Sequence, residues 1–246
     1  MLTRARSLAL AVTIGAHAAL AHAATEEPSL AQFSAMVDRQ WDYAKPAESE
    51  QRFRALLEQW PPGDPQALII ATQIARTESL RRRFAAAHAA LDGVEGRLDG
   101  APSHVRVRYL LERGRTFNSA GAPERAVPLF AQALSLAECN DDAFYAVDAA
   151  HMLGIAAPPG ARLDWNLKAL AMSEGAAAPR VRRWLAPLYN NIGQAYIARG
   201  DAAGAKPWAA KAHAALKDDS DLSAGEPARL ARLGAIAAGT PPAAKP

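Results

Sequence analysis

Two stretches of this chain copy one another at a fixed offset, and this self-similarity limits the possible fold more than any other feature. Gly114, Phe117, Gly121, Ala126, Pro128 and Ala133 are matched by Gly193, Tyr196, Gly200, Ala205, Pro207 and Ala212, each pair 79 residues apart. That offset is about two structural units of a repeat array. A weaker copy lies between them. Gln132-Ala133-Leu134-Ser135-Leu136-Ala137-Glu138 recurs as Lys168-Ala169-Leu170-Ala171-Met172-Ser173-Glu174, offset by 36. The pattern describes a helical hairpin. A large apolar residue, a small one and an aromatic one a turn later, as in Ile192, Gly193 and Tyr196, let a second helix come close. Gly121 and Gly200 permit the chain to reverse, and Ala205 and Ala212 line the seam of the returning helix. A single hairpin cannot bury its apolar face, so the hairpins must stack.

About a quarter of the residues are alanine, and strand-favouring runs are nearly absent. Alanine is the strongest helix former and a small packing residue, so the composition suits closely packed helices.

The repeats resemble the tetratricopeptide family, whose motif runs large, Leu-Gly, aromatic, Gly, Ala, aromatic, Ala. The matching residues are Leu110, Gly114, Phe117, Gly121, Ala126, Phe130 and Ala133, and Tyr189, Ile192, Gly193, Tyr196, Gly200, Ala205 and Ala212. Arg113 stands where leucine is usual, Ala209 replaces an aromatic, and the unit spacing is 36 to 43 residues. The segments Thr72-Gln73-Ile74-Ala75-Arg76 and Tyr189-Asn190-Asn191-Ile192-Gly193 are similar to those of uncharacterised bacterial members. The resemblance covers Gln66 to Leu216. It implies an all-α solenoid of antiparallel helix hairpins, a right-handed superhelix of about eleven helices.

Outward from these anchors, Ser29–Tyr43 and Ala47–Trp60 read as an N-terminal helical pair within residues 28–63, divided at Lys45-Pro46. The repeat array spans 64–220. Gln66–Arg76 pairs with Leu80–Leu98, and Asp142–Ala156 pairs with Arg162–Glu174 across Pro158-Pro159-Gly160, which neither helix can absorb. Pro128 and Pro207 predict a bend or a late helix start. A capping helix at 221–238, reading Ala224–Ala237, closes the array with Glu226, Arg229 and Arg232 on its polar face. Residues 239–246 read as a disordered tail.

The first 23 residues read as an address. Arg4 and Arg6 precede an apolar run, Leu8–Leu20, and the small-x-small trio Ala21-His22-Ala23 follows. These are the three parts of a secretory signal peptide, which predicts export to the periplasm and a mature chain beginning near Ala24. The apolar run is short for a permanent anchor, and no stable membrane insertion of the mature chain is expected. Removing Arg4 and Arg6 leaves 26 basic and 25 acidic side chains, about +1, which argues against a nucleic-acid partner. The runs Arg81-Arg82-Arg83 and Arg180, Arg182, Arg183 then read as solvated helix faces. Cys139, the single cysteine, reads as an inert or partly buried thiol at a helix end.

No nucleophile elbow, phosphate loop or metal-ligand spacing is found, so neither an enzyme nor a cofactor or metal site is expected. Asp148 and His151, three apart on one helix face, could form an acid–base or metal half-site; a structural hydrogen bond is the commoner role. Aligning the first helices of the four central hairpins gives a sharper constellation. Gln73, Glu112, Asp148 and Asn191 share one position, and Arg76, Arg115, His151 and Gln194 follow three residues later. Positions three apart share a face, so stacking predicts a polar ladder along one wall. In the family this resembles, that wall is the concave face where peptides dock. Two compatible readings remain: Arg76, Glu112, Arg115 and Asp148 pair among themselves, or Arg76, Arg115, Asn190, Asn191 and Gln194 face an extended peptide, with arginine able to grip carboxylates. Asn191 falls where the family's peptide clamp has asparagine, but the clamp's lysines are missing. The aromatics Trp165, Trp184 and Trp208 read as inter-hairpin packing. The expected role is a non-enzymatic scaffold that binds a protein or peptide. The alternatives are an end-to-end homo-oligomer and a small-molecule sensor or hydrolase using Asp148 and His151.

Overall fold

The computed structural model describes residues 28–218 and 227–239. The predicted signal peptide, residues 219–226 and the tail beyond Gly239 lie outside them, as do the side chains of Glu226 and Arg229. Among the described residues there are helices and no strands, in an all-α solenoid of stacked hairpins. The helices are α1 (Leu30–Asp38), α2 (Pro46–Leu57), α3 (Pro65–Leu80), α4 (Phe84–Glu95), α5 (Ser103–Ser119) and α6 (Pro123–Cys139). There follow α7 (Ala143–Ala156), α8 (Arg162–Glu174), the single turn α9 (Pro179–Arg182), α10 (Leu185–Ala198), α11 (Ala202–Asp218) and α12 (Pro227–Ala237). Eleven of them have nine residues or more, and a 3-10 turn, Pro159–Ala161, joins α7 to α8.

The sequence explains where these helices begin. Ser29 caps α1 in a full capping box with Gln32. Asp64 caps α3 ahead of Pro65, and Asp142 caps α7. Four helices, α3, α5, α6 and α10, end alike: residues Arg82, Gly121, Asp141 and Gly200 all have positive φ. In each, the next residue's N–H bonds a carbonyl five back, as in Ala122 to Phe117 at 3.0 Å and Asp201 to Tyr196 at 3.0 Å. This is the left-handed cap of a terminating helix.

The hairpins α3–α4, α5–α6, α7–α8 and α10–α11 stack in sequence order. One core joins α1 to α5 around Phe33, Phe53, Ile69 and Leu91, a second centres on Leu111, Phe130, Leu153 and Leu188, and a third packs α12 through Leu233 and Ile236 against Leu216. Close approach at the small repeat position is visible at Gly114. A Cβ there would come 2.5 Å from Cε1 of Phe130, a fully buried ring. Arg113, the departure from the motif, is buried and bonds Asp92 (2.5 Å), Glu95 (3.1 Å) and Tyr109 (3.2 Å).

Several expected boundaries are corrected. The first helix ends at Asp38, not Tyr43, because Trp41 turns inward to bond Gln73 and pack on Phe53. The division between α3 and α4 falls at Arg81–Arg83, beyond the expected break after Arg76. Thr77, Glu78 and Ser79 are buried helical residues, and the Thr77 hydroxyl bonds the Ile74 carbonyl at 2.7 Å. Arg81, Arg82 and Arg83 therefore form a turn and not a helix face, with Arg81 paired to Glu50 and Arg83 to Glu78. Pro128 and Pro207 lie inside continuous helices, so neither marks a late start. Each is the sixth residue of its helix, so its missing N–H removes a single i→i−4 bond, the one to the carbonyl of the helix's second residue. The last helix is described from Pro227, and its expected start at Ala224 lies outside the described residues. Cys139 ends α6 and is exposed.

Candidate functional site

The polar ladder exists, and most of it is paired within the chain. Its rungs come from α3, α5 and α7, the first helices of successive hairpins. Arg76 Nη1 reaches Glu112 Oε2 at 3.4 Å, Arg115 Nη1 donates to Glu112 Oε1 at 2.7 Å, and Arg115 Nη2 donates to Asp148. Gln73, Glu112, Arg115 and Asp148 are all buried. Burial works against charge on Arg115, but Asp148 and Glu112 outweigh it and hold the guanidinium more firmly protonated than usual.

Six of the predicted residues, Gln73, Arg76, Glu112, Arg115, Asp148 and His151, line a cavity of about 280 Å³. Asn190, Asn191 and Gln194 do not. The reason is α9, which rests on α7 while α10 packs on α8 and α11. This displaces the fourth rung along the array. Asn190 Nδ2 bonds Asn191 Oδ1 at 3.3 Å, and all three residues are half-buried.

The chain's own N-terminal segment crosses this wall. Trp41 Nε1 donates to Gln73 at 2.9 Å, and Tyr43 stacks on Trp41 at 4.8 Å with its ring planes 2° apart. Asp38 is a hub: Arg108 Nη2 donates to it at 2.9 Å, the Tyr145 hydroxyl at 3.4 Å, and Arg180 Nη2 pairs with it. Burial opposes the charge on Arg108, and Asp38 overcomes that penalty. Burial also pushes the Tyr145 hydroxyl up, keeping it a neutral donor. Asp38, Trp41, Tyr43 and Arg180 belong to the site and were not singled out in the sequence. Asp38 and Arg180 are 142 residues apart, a separation no local pattern records.

Beside the segment lies a wider groove of about 890 Å³, lined by Trp41, Tyr43, Phe144 and Trp184 together with Arg39, Arg180 and Arg183. Tyr43 is exposed over 62% of its surface, the largest value among the large hydrophobic residues described. Arg180 lies 3.6 Å above the Phe144 ring and is fixed there by Asp38. Trp184 packs against the second core, as read from the sequence, and also lines both spaces, with its ring 4.9 Å from His151. Together the two spaces are walled by six arginines (39, 76, 108, 115, 180, 183) and three carboxylates, Asp38, Glu112 and Asp148.

A second constellation escaped the sequence. Ser34 Oγ lies 2.7 Å from His104 Nε2, and His104 Nδ1 lies 2.7 Å from Asp142 Oδ2. The order is that of a hydrolytic triad. Ser34, however, is fully buried midway along α1, so the trio ties α1 to α5 and to the cap of α7. Among the described residues no group of three His, Cys, Asp or Glu side chains could hold a metal ion, and no helix is long and apolar enough to cross a membrane.

No protein-family model matches the chain, and no curated protein matches it. Among solved structures it is similar to the crystal structure of BtubC (BKLC) from P. vanneervenii. The TM-score is 0.56 at 17% identity, over 83% of this chain and 85% of that one. At that identity the likeness concerns the helical fold alone.

Proposed function

We propose that this chain is a divergent tetratricopeptide-type adaptor, exported to the cell envelope, that holds a peptide or partner protein in the open stretch of its concave groove. It works without catalysis. The observation that carries this reading is the groove of about 890 Å³ between the N-terminal segment and α9–α10, walled by aromatic rings and arginines. Aromatic and arginine side chains dominate binding energy where partners meet, because they bring large rigid area and directed donors. The ladder beside it serves as the rigid back wall, since its charges are already paired. The repeat spacing and the left-handed caps that end four of the helices support the tetratricopeptide assignment, and the apolar leader ending at Ala23 supports export.

Crosslinked affinity capture from the exporting organism's envelope fraction tests the reading, using the parent and a Tyr43→Asp variant of unchanged helical circular dichroism. Tyr43 is exposed, so the substitution costs the fold little while placing a charge against the groove's rings. A partner captured by the parent and lost with the variant supports the groove as the site. A partner retained equally by both moves binding to the outer helices or an end of the array.

A further inference from the structure

The smaller cavity of about 280 Å³ differs in chemistry from the groove beside it. The two spaces share Asp38, Tyr43, Phe144 and Trp184, so the cavity lies directly behind the groove with those four side chains between them. Its arginines and carboxylates balance: Arg76, Arg108 and Arg115 stand against Asp38, Glu112 and Asp148. Each of the six is engaged in an ion pair, Arg108 with Asp38 and the others along the ladder. Three N–H donors of the same lining are nonetheless buried without an acceptor: Arg108 Nε, Arg115 Nε and Trp184 Nε1. Arg108 and Arg115 are only 3% and 9% exposed, so bulk water does not serve them. A buried N–H left unpaired is costly, and an arriving acceptor recovers that cost. Leu111, Phe144, Met152 and the Trp184 ring make another part of the wall apolar.

Size, charge and lining together specify an occupant. The volume is at the small end of ligand sites and equals about nine water molecules at roughly 30 Å³ each. Water would serve the donors, but it gains nothing from the apolar wall. An anion would come against three carboxylates and an ammonium against three guanidiniums. Neither finds an unpaired counter-charge to offset its desolvation. An uncharged acceptor meets neither penalty. We infer that this cavity binds a small uncharged carbonyl compound whose apolar, ring-sized body brings it to about ten non-hydrogen atoms. Its oxygen atoms accept from the arginine Nε and Trp184 Nε1 donors, and its body lies against Leu111, Phe144 and Met152. The site is separate from the groove and does not depend on a peptide being held there.

The test labels the methionine methyl groups with carbon-13 in the protein as its host processes it and follows them by NMR. Met152 lines the cavity, whereas Met36 packs on the first core and Met172 on the second, and neither of these lines it. The uncharged probes are methyl benzoate, acetophenone and benzamide; benzoate and benzylamine keep the ring and carry a charge. The expected result is a saturable shift of the Met152 methyl with the uncharged probes, at dissociation constants of about 10 mM or tighter, as suits ligands of this size. Met36 and Met172 stay unmoved, and the charged probes bind at least about fivefold more weakly. Trp184→Phe keeps an aromatic ring and loses the donor, and it weakens the uncharged probes about threefold or more. If that variant loses its helical circular dichroism, the comparison of head groups on the parent decides. Equal or tighter binding of a charged probe at Met152 overturns the inference, as does a shift confined to Met36 or Met172. A Met152 methyl that none of the five probes moves marks a cavity filled by water only and overturns it too. Each of these results leaves partner capture by the groove to its own test with Tyr43→Asp.

Discussion

Gly114 and Gly193 hold the same place in two hairpins, but their neighbours differ. A Cβ on Gly114 meets the ring of Phe130 at 2.5 Å, whereas one on Gly193 meets nothing closer than 3.5 Å, because Ala209 stands where the aromatic would be. Gly114→Ala is therefore expected to destabilise by about 1–3 kcal/mol through overpacking. Gly193→Ala is neutral or stabilising by up to about 1 kcal/mol from helix propensity. Urea unfolding of both variants checks the contrast. Arg115 gives the larger effect. It is buried between Glu112 and Asp148, and Arg115→Ala leaves two buried carboxylates facing each other, a loss of about 3–5 kcal/mol. Adding Glu112→Gln and Asp148→Asn should recover most of that loss; a single variant as stable as the parent would show that the ladder does not hold the stack. At this scale the sequence was informative wherever partners recur at repeat spacing. Gln73, Arg76, Glu112, Arg115 and Asp148 could be aligned because stacking repeats their positions. The link from Ser34 through His104 to Asp142 could not, since it joins elements 70 and 38 residues apart outside the repeat register.

Helix ends follow turn chemistry more closely than they follow hydrophobic pattern. Gly121 and Gly200 announced their reversals, while Arg82 and Asp141 adopt the same left-handed conformation without glycine. That is why the end of α3 was misplaced in the sequence and the reversals after α5 and α10 were not. Left-handed backbone costs a residue with a Cβ about 1–2 kcal/mol, and glycine pays none of it. Arg82 is exposed, so Arg82→Gly is expected to stabilise by about 1 kcal/mol, and Gly121→Ala to destabilise by a similar amount, in thermal unfolding. The short helix α9 is the other element the pattern did not yield. Pro179 starts it, and its contact with α7 moves α10 away. A position-by-position alignment of hairpins cannot foresee such an insertion, and it removed Asn190, Asn191 and Gln194 from the ladder's cavity.

As a whole the molecule is a stack of hairpins whose inner wall is partly covered by its own first helix and the loop after it. The solenoid was legible from the 79-residue offset, but this coverage was not, because α1 lies outside the repeats. With the proposed export, the apolar leader is removed, and amino-terminal sequencing of the protein recovered from its host's envelope fraction is expected to begin near Ala24. In the proposed role a partner is seated in the open part of the groove beside residues 38–43. The most direct measurement is photocrosslinking in the living host, with a benzophenone side chain placed at Tyr43 in the groove or at Leu167 on α8. Both positions are exposed, and Leu167 lines neither cavity. A discrete adduct is expected from position 43 and none from position 167. An adduct from 167 with none from 43 would exclude the groove and place the partner on the outer layer of helices.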